Sequence, residues 1–344
     1  MNKAIINTNK QYNSIDIMKF ICSILIICIH TLPLESVSPL LDDILVGILS
    51  RIAVPLFFIS SGFLFYNKIG EDKLNNKIIF LNYLKRIIQL YVGWSAVYFI
   101  LYLIKGSIHF NDISLFKKIF ITGIALQLWY FPALIFSISL MYIISKKVKI
   151  NKVCIYLSIP LYLFGMLGTT YYSLLDKTPY IKYIMSKYIN IFETTRNGLF
   201  FGFIFILIGA YLSKKDNRIN FKKDATLLVI SLGLLLIEAI FVSKFTVNIY
   251  GRDMFIFLPL VAVYSFKIVL YINNKIKSRE TICKVLRNLS ILIFGLHIGV
   301  MNLIRIDNSL INFLVITFIT IIISMGIIIL EKNKIFRSIT KYLY

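Results

Sequence analysis

The sequence is short of the residues on which soluble enzymes and metal proteins depend. Only 16% of its 344 residues are charged, against about 25% in soluble domains. It holds three histidines and four cysteines, and neither residue type shows the spacing of a zinc site. The common phosphate-binding and serine-hydrolase motifs are also missing from the sequence. These shortages exclude an ordinary soluble enzyme and a disulfide scaffold, and we expect no metal site.

Apolar residues are abundant instead. They make up 58% of the chain, and the mean hydropathy is +0.80. They gather in runs of about 20 residues, the length at which a helix crosses the hydrocarbon core of a bilayer. The sequence therefore predicts an all-α fold, a polytopic transmembrane helix bundle of about ten spans. The predicted spans are 15–34, 44–66, 87–104, 128–145, 153–169, 197–212, 225–243, 253–272, 290–305 and 311–330.

The basic residues indicate the orientation of this bundle. Lys and Arg number 38 against 16 Asp and Glu, a formal net charge of +22. With both termini cytoplasmic, the inner segments hold 25 of these basic residues and the outer segments hold 10, as the positive-inside rule requires. We therefore expect a cytoplasmic tail over 1–14, a transmembrane domain over 15–330 and a second cytoplasmic tail over 331–344, in a multi-pass protein of the cell membrane. The basic inner face is expected to bind anionic lipids of the bilayer, and this placement of charge does not favour nucleic acid.

Seven of the ten predicted spans place a polar or titratable side chain in their outer half. A charged group at the centre of a span costs about 2.5–3.5 kcal/mol on insertion scales, so such groups often mark functional sites. The residues are His30, Arg51, Trp129, Tyr130, Arg196, Asn197, Glu238, Arg252, Asp253 and His297. We expect the first two to be catalytic and the other eight to bind substrate.

Each of these residues also has a structural interpretation. A histidine on an apolar helix is often a packing residue, which applies to His30 and more strongly to His297. Arg51 keeps its charge in any environment, so Glu238 or Asp253 could pair with it in a purely structural network. The remaining arginines could extend to the outer head groups.

His30 has the side chain best suited to base catalysis, because an imidazole titrates near neutral pH. Acyl transfer requires a base that activates a hydroxyl and a cation that holds an anionic group or a developing oxyanion. Arg51 can supply that cation. The residues themselves therefore favour acyl transfer near the outer face.

Four stretches of the sequence carry a family resemblance. They are SIDIMK at 14–19, RIAVPLFFISSGF at 51–63, LWYF at 128–131 and SILIFGLH at 290–297. In this order, and over almost the whole chain, they resemble the integral-membrane acyltransferase-3 family. The resemblance implies transfer of an acyl group, usually acetyl, from cytoplasmic acyl-CoA to a small-molecule or cell-envelope acceptor at the outer face. It also places His30 and Arg51 at the family's functional histidine and arginine positions.

Three further stretches carry a second resemblance: HTLPL at 30–34, TRNGLFF at 195–201 and RDMF at 252–255. They are similar to the membrane domain of vancomycin-resistance serine/alanine racemases, which precedes a cytoplasmic racemase domain with pyridoxal phosphate. This similarity implies two alternatives, a module that supplies or transports L-serine and a membrane anchor for a cytoplasmic racemase domain or partner. In the first alternative, a zwitterion is held by the outer charges Arg196, Glu238, Arg252 and Asp253. We expect no pyridoxal phosphate in this chain.

Overall fold

The chain is built from helices in the part that the computed structural model describes, which is residues 12–106, 117–214, 219–245, 251–273 and 280–344. No strand forms within these ranges. In chain order the helices are α1 (Asn13–Thr31), α2 (Pro39–Tyr66), α3 (Lys73–Ile104), α4 (Tyr130–Ser145), α5 (Lys152–Leu167), α6 (Pro179–Phe192), α7 (Gly198–Leu212), α8 (Phe221–Ser243), α9 (Leu258–Asn273), α10 (Glu280–Leu303), α11 (Ser309–Leu330) and α12 (Lys334–Thr340). The all-α prediction is confirmed. Residues 1–11 of the predicted N-terminal tail lie outside the described residues.

The ten apolar segments of the sequence all fall on helices. Among the described residues, α1, α2, α3, α8, α10 and α11 are long and apolar enough to cross a membrane, and α4, α5, α7 and α9 are apolar helices of 10–17 residues. These helices are those of a membrane protein. Two described α-helices fall outside the ten segments: α6, within the predicted outer segment 170–196, and the short α12. A π-helical turn at Lys118–Thr122 and a 3-10 turn at Tyr172–Lys177 also lie outside them.

The helix α3 begins 14 residues before the predicted span 87–104. The Asp72 side chain accepts hydrogen bonds from the backbone N–H groups of Leu74 and Asn75, at 2.9 and 3.3 Å, and so caps the helix. Neither Pro nor Gly interrupts residues 73–86. Hydropathy detects apolar residues and not helix as such, which is why the predicted span covers only the apolar half of α3.

Close contact between α2 and α7 organises the core. A Cβ at Gly62 would meet the backbone of Ile206, and a Cβ at Gly209 would meet the backbone of Ile59. Small residues permit such approach between membrane helices. The helix α1 packs against α2, α9, α10 and α11. The packing brings the C-terminal ends of α1 and α10 beside the middle of α2 and the N-terminal end of α7.

The predicted C-terminal tail, 331–344, returns to the bundle after α12. The Arg86 guanidinium donates a hydrogen bond to the carbonyl oxygen of Lys341 at 2.6 Å. The Trp94 indole N–H donates to the carbonyl oxygen of Leu343 at 3.1 Å. The side chains of α3 bind backbone carbonyl oxygens of the tail, which every residue has. The side-chain pattern of the tail therefore does not indicate this contact.

Candidate functional site

A small cavity lies between the C-terminal end of α1, the middle of α2 and the N-terminal end of α7. Its volume is about 50 Å³, which is room for a few water molecules. Its wall contains six of the ten residues singled out from the sequence: His30, Arg51, Trp129, Tyr130, Arg196 and Asp253. The rest of the wall is formed by Ile26, Ile29, Val54, Leu126, Gln127, Phe201 and Phe294. The candidate site is therefore a charged pocket set in mainly apolar walls.

An irregular stretch of α2 presents Arg51 to this cavity. A π-helical turn at Leu45–Leu49 and a 3-10 turn at Ser50–Ile52 interrupt the α-helix, and such changes of pitch are frequent at functional sites. The Arg51 side chain is 4% exposed, and its Nη1 lies 2.6 Å from Asp253 Oδ1. Of the two carboxylates that the sequence offered as partners, Asp253 pairs with Arg51 and Glu238 binds elsewhere.

Asp253 is shared between two arginines. Its Oδ2 accepts a hydrogen bond from Arg196 Nη1 at 3.0 Å, while its Oδ1 accepts from Arg51. The Arg196 guanidinium also lies over the Trp129 ring, 4.7 Å from the ring centroid, in a cation–π contact. Among the described residues that line the cavity, the two guanidinium groups and the one carboxylate sum to one positive charge. In a site shielded from water, that charge favours an anionic group or a developing negative charge.

Asn197 fixes the start of α7 and with it the place of Arg196. Its Oδ1 accepts hydrogen bonds from the backbone N–H groups of Leu199 and Phe200, at 3.0 and 3.1 Å, which is the geometry of a helix N-cap. Its Nδ2 donates to the Tyr188 hydroxyl at 2.9 Å. Asn197 therefore shapes the site from behind the cavity wall.

His30 lies in the last turn of α1 and lines the cavity. The helix ends at Thr31 and is capped by Leu32, whose backbone is left-handed and whose N–H donates to the carbonyl oxygen of Cys28. His297 of α10 lies beside His30, with ring centroids 5.4 Å apart and ring planes inclined by 30°. His297 is wholly buried, and its Nδ1 lies 3.0 Å from the carbonyl oxygen of Ile293. The two histidines thus form a pair of which one member reaches the cavity.

Tyr130 belongs to a cluster of aromatic rings at the cavity. Its ring centroid is 4.8 Å from that of Phe58 and 5.6 Å from that of Phe294. Its hydroxyl lies 3.3 Å from the Ser61 hydroxyl. Phe58 and Ser61 belong to the RIAVPLFFISSGF stretch, so this stretch supplies the cavity arginine and also the packing around Tyr130.

Two residues that were not singled out from the sequence support this arrangement. Gln127 lines the cavity, and its Nε2 donates to the carbonyl oxygen of Gly295 at 3.0 Å. The Tyr98 hydroxyl donates to the same carbonyl at 2.7 Å and accepts from the N–H of Gly299 at 2.9 Å. Both glycines flank His297 on α10. In the sequence, Gln127 and Tyr98 are marked only as polar groups in or near an apolar segment. Many residues with a purely structural role have the same property.

Glu238 lies apart from the cavity and caps the start of α9. Its carboxylate accepts hydrogen bonds from the backbone N–H groups of Ile256 and Phe257, at 2.5 and 3.0 Å. The Tyr171 hydroxyl also donates to it. Carboxylates are favoured at helix N-termini, where backbone N–H groups lack partners within the helix. The structure therefore gives Glu238 a structural contact away from the pocket.

Arg252 also lies apart from the cavity, beside a separate pocket of about 330 Å³. It forms an ion pair with Asp43 at 3.2 Å. The Arg252 side chain is 7% exposed and that of Asp43 is 39% exposed. The Arg252 side chain is therefore buried against a carboxylate.

The cavity offers a base and cations. Within the described part of the chain, no group of three histidine, cysteine, aspartate or glutamate side chains is placed to hold a metal ion. The arrangement can remove a proton at His30 and hold negative charge at the arginines. This is the combination that acyl transfer uses.

A family model described as "Acyltransferase domain" matches residues 12–330. The chain belongs to the acyltransferase-3 family. The match confirms the resemblance carried by the four sequence stretches, and it covers every helix from the start of α1 to the end of α11.

This acyltransferase-3 protein is also similar to curated proteins of Enterococcus. It is 28% identical to an amino-acid racemase of Enterococcus faecalis over 93% of this chain and 46% of the relative. It is 29% identical to a serine/alanine racemase of Enterococcus gallinarum over 89% of this chain and 44% of the relative. The chain thus spans less than half the length of these relatives. No solved structure matches it significantly.

Proposed function

We propose that this acyltransferase-3 protein is a membrane-embedded O-acyltransferase. It moves an acyl group, with acetyl the one we expect, from cytoplasmic acyl-CoA to an acceptor hydroxyl near the outer face of the cell membrane. The observation that carries the proposal is the presence of His30 in one cavity with an excess of arginine charge. The family domain supports the transferase class.

His30 acts as the base in this reaction. Its unprotonated ring nitrogen takes the proton of the acceptor hydroxyl while the hydroxyl oxygen attacks the thioester carbonyl carbon. The tetrahedral intermediate carries a negative oxygen. When it collapses, the carbon–sulfur bond breaks, the ester is released, and the proton passes from His30 to the CoA thiolate. His30 then returns to its starting state.

Arg51 and Arg196 stabilise the negative oxygen of the intermediate. Asp253 compensates only one of their two positive charges. Fixed donors that face a developing oxyanion lower the barrier, and removal of one such donor typically costs about 10²–10³ in rate. Because pockets that hold small molecules usually exceed about 300 Å³, the walls of this cavity must open when the substrates bind.

The orientation that this function requires is ten spans with both termini cytoplasmic. The excess of basic residues in the inner segments supports it, and these segments also give the CoA phosphates a basic face to approach. Single cysteines at Asn75 and Tyr183, both exposed, test it in a background without the native cysteines. An impermeant thiol reagent added to intact cells should label position 183 and spare position 75. Labelling of position 75 without labelling of position 183 would show that the bundle has the opposite orientation.

The partners follow from this reaction. Acyl-CoA is the donor substrate, and the acceptor is a small molecule or a component of the cell envelope that carries a hydroxyl group. Anionic lipids bind the basic inner face. The proposal needs no metal, no pyridoxal phosphate and no nucleic acid.

The racemase names of the relatives fit a second candidate function in part. In it the chain is the L-serine supply or transport module of a racemase system, or the membrane anchor of a racemase domain or partner. The Arg252–Asp43 pair, which borders its own pocket, gives this candidate a fixed cation and a fixed anion for a zwitterion.

Inside-out membrane vesicles from expressing cells test the two candidates side by side. Radiolabelled acetyl-CoA is offered to one sample and radiolabelled L-serine to the other, with vesicles from cells that lack the protein as the control. The proposal predicts an alkali-labile acetyl ester inside the vesicles. Movement of serine across the membrane with no ester formed would instead support the transport module and overturn the acyltransferase.

A further inference from the structure

His297 has a buried ring nitrogen without a hydrogen-bond partner among the described residues. Its Nδ1 lies 3.0 Å from the carbonyl oxygen of Ile293, so Nδ1 carries a proton, because two lone pairs at this distance would repel. Nε2 is then an acceptor in the neutral ring, and this Nε2 is the atom without a partner. Buried polar atoms are normally satisfied, so this one needs an explanation.

The polar ring beside His297 is that of His30. The 5.4 Å between the ring centroids places the two rings close enough for a hydrogen bond, formed directly after a small rotation or through one water molecule. His30 lines the cavity, whereas His297 lies behind it. His297 therefore lies on the side of His30 that faces away from the cavity, toward the interior of the bundle.

The charges around the pair favour a neutral His297. Arg51 and Arg196 are on the cavity wall, and Asp253 is engaged by both of them. A second proton on His297 would add positive charge beside this excess. It would also leave a buried N–H without an acceptor, which is costly.

Tyr98 and Gln127 hold the turn of α10 that carries His297. The Tyr98 side chain is buried, and its hydroxyl bonds the carbonyl of Gly295 and the N–H of Gly299. Gln127 bonds the same carbonyl. Contacts on both sides of His297 fix the height and the rotation of its ring.

We infer that His297 is a positioning residue that acts through His30, and that Tyr98 holds His297 in this role. The inference rests on the proposed function, in which His30 is the base. Nε2 of His297 accepts a hydrogen bond from one ring nitrogen of His30, directly or through a water molecule. The other nitrogen of His30 is then unprotonated and faces the acceptor hydroxyl. A carboxylate does this beside the base in Ser-His-Asp enzymes, and a neutral imidazole does it here without adding negative charge beside the arginines.

Two substitutions separate the two nitrogens of His297. His297→Asn keeps an N–H near the position of Nδ1 and removes the acceptor at Nε2, whereas His297→Gln places an amide oxygen near the position of Nε2. We expect kcat to fall about 10-fold or more in the Asn variant with KM unchanged, and to recover to within about threefold of wild type in the Gln variant. Equal losses in both variants would overturn the inference.

Tyr98→Phe removes only the hydroxyl that bonds the flanking glycines. We expect kcat to fall severalfold with KM unchanged. Tyr102→Phe is the matched control, because Tyr102 lies one turn along α3 with its ring 5.9 Å from that of Tyr98, and it should transfer acyl groups at the wild-type rate. Equal rates in the two phenylalanine variants would show that Tyr98 does not hold His297 in this role.

Nitrogen-15 NMR of protein labelled at its three histidines reads the proton positions without any substrate. We expect the His297 proton on Nδ1. We expect His30 to occupy one neutral tautomer in the wild type and in His297→Gln, and a mixture of tautomers in His297→Asn. The same His30 distribution in both variants would overturn the inference. If the spectra follow the expectation and the wild type transfers no acyl group, the proposed function is wrong and the contact between the histidines stands.

Discussion

Two buried ion-pair sites in this protein differ in their balance of charge. Lys267 and Asp224 join α8 to α9 as one cation and one anion, 2.8 Å apart. At the cavity, Asp253 serves both Arg51 and Arg196. The first site is neutral, so its charges are satisfied within the protein. Among the described residues, the second has one positive charge in excess beside a cavity and a histidine, which is what an anionic reaction intermediate needs.

The comparison separates a structural role from a functional one. A balanced buried pair contributes little net stability, but removal of one partner is costly because it leaves a charge buried alone. The unbalanced site behaves differently, since loss of one arginine leaves Asp253 paired with the other. We therefore expect substitutions at the neutral site to affect stability and substitutions at the cavity to affect activity.

Among the substitutions that test this comparison, Arg51→Lys should have the largest effect, a loss of acyl transfer. Lysine keeps the positive charge but lacks the flat guanidinium that can bind Asp253 and an oxyanion together. We expect acyl transfer to fall about 100-fold or more, with thermal unfolding in detergent close to that of the wild type. Arg51→Met should lose activity and still fold. Wild-type transfer by the lysine variant would show that Arg51 serves only a structural ion pair.

Lys267→Met should destabilise the protein without a specific effect on transfer. It leaves the Asp224 carboxylate, 2% exposed, without its cation. We expect the free energy of unfolding to fall by about 3 kcal/mol, the low end for a broken buried pair because the Lys267 side chain is 21% exposed. Denaturant unfolding in detergent measures the change, and Lys267→Arg is the matched control. A variant as stable as the wild type would contradict the structural role of this pair.

Glu238→Gln should have the smallest of these effects. The carboxylate accepts bonds from two backbone N–H groups and from Tyr171, and an amide must turn its NH₂ group toward one of these donors. We expect a loss of about 1.5 kcal/mol in the free energy of unfolding, with transfer per folded molecule unchanged. Loss of transfer at full stability would instead place Glu238 in a substrate site.

The fold could be predicted from the sequence where apolar runs determine it. Each predicted apolar segment lies on a helix, since the hydrophobic run of a membrane helix is a local property. The early start of α3 and the return of residues 341–344 to that helix could not be predicted. The first depends on a cap at Asp72, and the second on hydrogen bonds from Arg86 and Trp94 to backbone carbonyls.

The candidate site could be predicted in part for a similar reason. Polar side chains in the outer halves of the spans mark a region, because burial of such groups is costly. The sequence does not show which of them meet. From the sequence, Asp253 and Glu238 are equally suitable partners of Arg51. Only the packed structure shows that Asp253 lies at the cavity and Glu238 at the N-terminus of α9. Tyr98 and Gln127 went unnoticed because their function lies in contacts to the backbone of α10.

The substitution His30→Ala tests the central claim most directly. Inside-out vesicles that contain the wild type or the variant receive radiolabelled acetyl-CoA, and the acetyl ester formed inside them is measured together with the unfolding of the purified proteins. The account predicts no ester above background for the variant. It also predicts a free energy of unfolding within about 1 kcal/mol of the wild type, because the His30 side chain lines a cavity and is not packed on all sides. Full ester formation by His30→Ala would contradict the account.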